Sequence, residues 1–165
     1  MSQSHLHASL HGIARAALVA GCAVALAACE VNLNTEGLTT KETKTFTVTG
    51  QPDLTVETFD GSIEIHSWDR DEVEVEVEKR AMEQSLIDQM RVEAEQQGDR
   101  IVLRVTGPSA SESRGITVGV HISPAARLRV AVPRKLTLQA RTEDGSIRVE
   151  NIEGKVVLRT GDGSV

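Results

Sequence analysis

The sequence has no tyrosine, one tryptophan and two phenylalanines among 165 residues. A core centred on a cluster of large rings is therefore excluded, and the interior has to be made from Val, Ile and Leu. Such a core is laid down as thin, repeated aliphatic layers, which suits a sandwich or a stack of coils. Cysteine is almost as scarce: Cys22 and Cys29 both fall in the first thirty residues, so no disulfide framework stabilises the body of the chain. Basic charge is in deficit. The net charge is −6, and because residues 1–28 contribute only Arg15, the remainder holds 17 basic and 24 acidic side chains, a balance of −7. No basic stretch interleaved with aromatics is present, which argues against nucleic acid as a partner. The longest apolar run, 16–28, has thirteen residues. A helix needs ~20 to cross a bilayer of about 30 Å.

Thirteen uncharged residues after Arg15 match the h-region of a signal peptide. The run ends in Leu26-Ala27-Ala28-Cys29, which resembles the bacterial lipoprotein cleavage box. That resemblance implies cleavage before Cys29 and acyl chains on its thiol and new N-terminus, enough for stable membrane anchoring. Glu30, not Asp, follows the lipidated position, which favours the outer membrane over the inner. Residues 1–28 are thus a lipoprotein signal peptide, and 29–43 the lipidated Cys with a polar, flexible tether. Residues 44–165 form one domain.

Within that domain the dominant period is two. Phe46 and Val48 alternate with polar residues over 44–49, and a second strand follows Pro52-Asp53. Val73, Val75 and Val77 share one face, and Glu72, Glu74, Glu76 and Glu78 the other. The spacing of Met82, Leu86 and Met90, with Ile87 beside them, predicts a short inserted helix over 82–90. A hairpin through Gln96-Gln97-Gly98-Asp99 is preferred to a longer helix. Residues 107–115 read as a Ser-rich loop, and 116–122 and 128–132 as strands.

One motif is written three times: Thr58-Phe59-Asp60-Gly61-Ser62-Ile63, Thr142-Glu143-Asp144-Gly145-Ser146-Ile147 and Thr160-Gly161-Asp162-Gly163-Ser164-Val165. The last two copies lie eighteen residues apart, a unit of two short strands and two turns. Strand pairs that short cannot bury their own apolar faces, so the repeat predicts an all-β, solenoid-like stack at about 4.8 Å per coil. The third copy stops at Val165, so the domain is expected to be C-terminally incomplete.

With these copies, the segment Ile65-His66-Ser67-Trp68-Asp69-Arg70-Asp71-Glu72-Val73-Glu74-Val75 and the stretch Val132-Pro133-Arg134-Lys135-Leu136, the chain resembles the bacterial putative-adhesin domain family over residues 44–165. The resemblance implies a right-handed, β-helix-like domain exposed in the cell envelope, often on lipoproteins. The family's molecular function is unknown, and it offers no catalytic residues to transfer.

The residues themselves offer few chemical candidates. Asp60-Gly61, Asp144-Gly145 and Asp162-Gly163 are foremost turn formers, Asp bonding its own backbone and Gly supplying positive φ. In-register stacking would bring Asp144 and Asp162 within about 5 Å, the spacing of paired glycosidase carboxylates. They and Trp68, a conceivable sugar platform, are the candidate ligand contacts, though Trp68 reads better as a packed cap. The glutamate comb reads as a solvated face ahead of a calcium site. His66 and His121, the histidines outside the leader, have no metal-ligand spacing, and Ser62, Ser146 and Ser164 lie in no nucleophile elbow. No catalytic residue, metal or cofactor is expected. The preferred function is a lipid-anchored, non-catalytic binding or scaffold surface for cell-wall or surface polysaccharide or an envelope protein. The alternatives are a polysaccharide-modifying enzyme using stacked carboxylates and a regulatory partner in envelope-stress signalling.

Overall fold

The computed structural model describes residues 37–108 and 123–165. The signal peptide, Cys29 and the strand expected over 116–122 lie outside them. The fold is all-β with one short helix, built from two five-stranded mixed sheets. Sheet one has the order β1-β4-β7-β3-β9, from β1 (Leu38–Thr47), β3 (Ile63–Trp68), β4 (Glu72–Ala81), β7 (Ala125–Pro133) and β9 (Ile147–Glu150). Sheet two has the order β10-β8-β2-β6-β5, from β2 (Asp53–Asp60), β5 (Arg91–Gln97), β6 (Arg100–Thr106), β8 (Thr137–Asp144) and β10 (Val156–Asp162).

Alternation along each strand decides which side faces in. Val73, Val75 and Val77 are fully buried while the glutamates between them face out. Register then lines the inward positions into rows. In sheet one Val77, Leu128, Ile63 and Ile147 form one row, and Val75, Val130, Ile65 and Val149 the next. In sheet two the rows are Ile101, Leu54, Leu138 and Leu103, Val56, Ala140, Leu158, while Val156, in register with Leu138, is exposed. The two sets pack into one aliphatic cluster, with Phe46 and Phe59 only at its margin. Layers of this kind are what the shortage of aromatic residues calls for.

What the strands form is two mixed sheets, and the expected stack of coils is not seen as such. Five of the eight ladders are parallel, but β1–β4, β4–β7 and β5–β6 are antiparallel. β7 also inserts between β3 and β4. The tether needs correction too, because β1 begins at Leu38 and takes in residues expected to be unstructured. Those residues are polar because β1 is an edge strand: Lys41, Thr43 and Thr45 lie opposite Glu78, Glu76 and Glu74 on the solvated face.

The helix is shorter than expected. α1 (Gln84–Gln89) buries Ile87, and Met90 follows it inward, while Met82 is 46% exposed. Ile87 and Met90 join Ala81 in a satellite cluster bordered by Leu38, Phe59 and Leu86, so α1 covers one end of the sandwich. The Lys79 ammonium ties that end together, donating to the Met90 carbonyl at 2.9 Å and lying 3.1 Å from the Glu42 carboxylate. The hairpin through Gly98 is present, joining β5 to β6. No helix among the described residues is long and apolar enough to cross a membrane.

Candidate functional site

The three motif copies come together as a column of corners, the first two where the chain leaves sheet two for sheet one and the third at the end of β10. Asp60, Asp144 and Asp162 are register partners on β2, β8 and β10, and Thr58, Thr142 and Thr160 form a parallel row. The backbone bonds repeat from corner to corner. Gly61 N–H donates to the Asp144 carbonyl at 2.8 Å and Gly145 N–H to the Asp162 carbonyl at 2.9 Å. Ile63 N–H donates to Ser146 at 2.9 Å, and Ile147 N–H to Ser164 at 3.0 Å.

The motif residues follow from this geometry. Each corner glycine has positive φ, +113° at Gly61, +137° at Gly145 and +152° at Gly163. A Cβ on Gly145 would also overlap the Gly61 carbonyl, and one on Gly163 the Gly145 carbonyl. Glycine is therefore required twice over, by conformation and by contact. Thr58 and Thr142 are buried, at 4% and 1% exposure, so their hydroxyls need partners. Thr142 Oγ1 lies 3.3 Å from the Gly61 carbonyl and 3.1 Å from that of Asp144, and Thr160 Oγ1 donates to the Gly145 carbonyl at 3.0 Å. A β-branched residue suits the strand, and the Thr142 and Thr160 hydroxyls tie their strands to the neighbouring corner.

The carboxylates are in looser surroundings. Asp144 and Asp162 are exposed, and Asp60 is half-buried. Burial, and then the neighbouring Asp144 charge, push the Asp60 carboxyl above its ordinary value of 3.8, against the opposing pull of the Gly61 amide and Arg80. Among the described residues no group of three or more His, Cys, Asp or Glu is placed to hold a metal ion.

Trp68 is not part of the column. It stands at the far end of β3, about 20 Å of extended chain from Gly61. Its indole N–H donates to the Glu72 carbonyl at 2.8 Å, and the Arg70 guanidinium lies 4.7 Å from the ring centroid. The ring pins the β3–β4 turn, and a cation occupies one of its faces.

The glutamate comb splits into two kinds. Glu76 is held by Arg129 at 2.7 Å and Lys41 at 3.5 Å, and Glu78 by Lys41 at 3.0 Å. Partial burial pushes the Glu76 carboxyl up, but the Arg129 and Lys41 contacts outweigh it and leave the group below its ordinary value of 4.5. Glu74 lies opposite Ala131 and Thr45, which carry no charge. Arg129 also lies 3.6 Å from Glu64, so the middle of this face is an ionic lattice within the chain. The cations that answer the comb come from β1 and β7, which local sequence spacing does not reveal.

Solved structures similar to this chain include a putative cell adhesion protein from Clostridium sporogenes, with 12% identity and a TM-score of 0.47 over 74% of this chain and 57% of that one. A putative adhesin from Bacteroides fragilis has 12% identity and a TM-score of 0.39 over 73% and 51%. A putative lipid binding protein from Parabacteroides distasonis has 11% identity and a TM-score of 0.32 over 63% and 40%. The chain thus spans about half the length of these structures. No protein-family model matches it, and no curated protein does.

Proposed function

We propose that this is a lipid-anchored protein of the cell envelope whose β body is a non-catalytic surface for binding or scaffolding. Cys29 is the lipidated residue after removal of 1–28, and the outer membrane is the favoured address. The corner column is, in the same proposal, part of a right-handed β-helix. The observation that carries the function is the job held by each motif residue. Gly and Thr lock one coil to the next, and the Asp144 and Asp162 carbonyls accept the glycine amides. The broad solvated faces of two rigid sheets are left as the surface for a polymer or a protein.

Two experiments test this. Palmitate labelling is expected for the wild type and lost in Cys29→Ser; labelling that survives contradicts the anchor. The purified protein is then incubated with cell-wall and capsular polysaccharides. Retention without new reducing ends is expected, whereas new reducing ends would favour an enzyme with stacked carboxylates. The observation on that side is the in-register Asp60–Asp144 pair with its raised Asp60 carboxyl.

A further inference from the structure

On the outer face of sheet two one row of charges crosses all five strands: Glu93, Arg104, Glu57, Arg141 and Arg159. The signs alternate from Glu93 as far as Arg141, and then Arg159 breaks the alternation. Arg104 and Glu57 meet at 2.8 Å, and among the described residues the ion pairs of this face stop there. Arg141 and Arg159 are exposed, direct register partners on adjacent strands. Like charges so placed repel and destabilise a sheet. Sheet one shows the contrast, because its central Arg129 sits among Glu64, Glu76 and Glu78.

The two arginines border common ground. Both line a small groove of about 70 Å³ with Thr55, Gln139 and Glu57, whose carboxylate is already held by Arg104. Strands about 4.8 Å apart let two guanidiniums converge on one oxyanion, each offering paired N–H donors to a carboxylate. From this juxtaposition we infer that Arg141 and Arg159 form the oxyanion subsite of an anionic polysaccharide. The sugar carboxylate is clamped between the guanidiniums, and its hydroxyls reach Thr55 and Gln139. A free polymer strand is favoured over an anionic bilayer because the same face carries Glu57, Glu93, Glu95 and Glu143, which repel a uniformly negative surface. The subsite rests on the binding-surface function proposed above and names its ligand class.

The test is retention of the full chain on immobilised polygalacturonate, with dextran as the neutral reference. Three proteins are compared: wild type, Arg141→Gln/Arg159→Gln, and Arg91→Gln/Arg100→Gln, which removes equal charge toward the opposite edge of the same sheet. The expected result is an apparent affinity at least ~10-fold lower in the first variant and unchanged in the second. The first variant should melt no lower than wild type, because the substitution removes a repulsion. Equal weakening in both variants, no weakening in the first, or tighter binding to phosphatidylglycerol vesicles or polyglutamate overturns the subsite. Retention on other envelope polymers that ignores the arginine pair leaves the binding function standing and removes the subsite. Absence of retention on every polymer and envelope fraction removes both.

Discussion

Two regions of this molecule repeat in sequence, and they repeat for different reasons. In the corner column the Gly61 and Gly145 amides, and the Thr142 and Thr160 hydroxyls, each find the same kind of carbonyl partner on the neighbouring corner. In the glutamate comb four identical side chains project from one strand, yet Glu76 and Glu78 are held by Arg129 and Lys41 while Glu74 faces uncharged neighbours. The column is a repeat of backbone geometry, with a positive-φ glycine closed against a backbone carbonyl in every copy. The comb is a repeat of solvation, and each copy is worth what its neighbours make it worth.

The sharpest way to break the contrast is to put a methyl group into the column. Gly145→Ala forces a Cβ into the Gly61 carbonyl at φ +137°, so a loss of at least ~3 kcal/mol is expected, lowering the melting temperature by about 10 °C or more. Gly98→Ala, at φ +60° with nothing within 4 Å, should cost only about 1 kcal/mol. Equal losses would mean that φ alone, and not the contact, makes the column. Next in size is Thr142→Val, which keeps the shape but removes the donor to the Gly61 and Asp144 carbonyls, with about 1–2 kcal/mol lost in urea titration.

The comb should respond less. Glu76 titrates below its ordinary value of 4.5 in the fold, so its contribution is present above that pH and fades as pH falls through the lowered value. Glu76→Gln should therefore cost under about 1 kcal/mol at pH 7, its site being largely solvated, and nothing once both carboxyl states are protonated. Asp60 has the opposite sign. Its folded value lies above 3.8, so its contribution is full below 3.8 and is lost as pH rises through the raised value. Asp60→Asn should melt slightly higher than wild type at pH 7 and converge with it in acid.

These differences track what the sequence made legible. The corners could be read because Thr, Asp and Gly each state a local backbone requirement, and three copies state it together. The Val73–Val77 face and the Gly98 hairpin were legible for the same reason, since alternation and a turn residue are local. Neighbours across the sheets were not. Nothing near Glu76 points to Arg129, fifty-three residues on, and nothing near Ile63 announces that β7 will separate β3 from β4. Alternation tells which way a strand faces and is silent on what lies beside it. β1 was missed over 38–43 because an edge strand against a charged row needs few apolar residues. The Arg141–Arg159 pair has no local signature, because a like-charge neighbour exists only once β8 and β10 are in register.

In the proposed function the Asp-Gly corners hold the fold and the binding chemistry lies elsewhere. Asp144→Asn/Asp162→Asn tests it most directly, because the substitution spares the backbone and removes both charges. Melting and polysaccharide retention are measured on the same preparation. A melting temperature within about 2 °C of wild type and undiminished retention are expected. Retention lost while the melting curve stays in place would contradict the claim and put the chemistry in the corners.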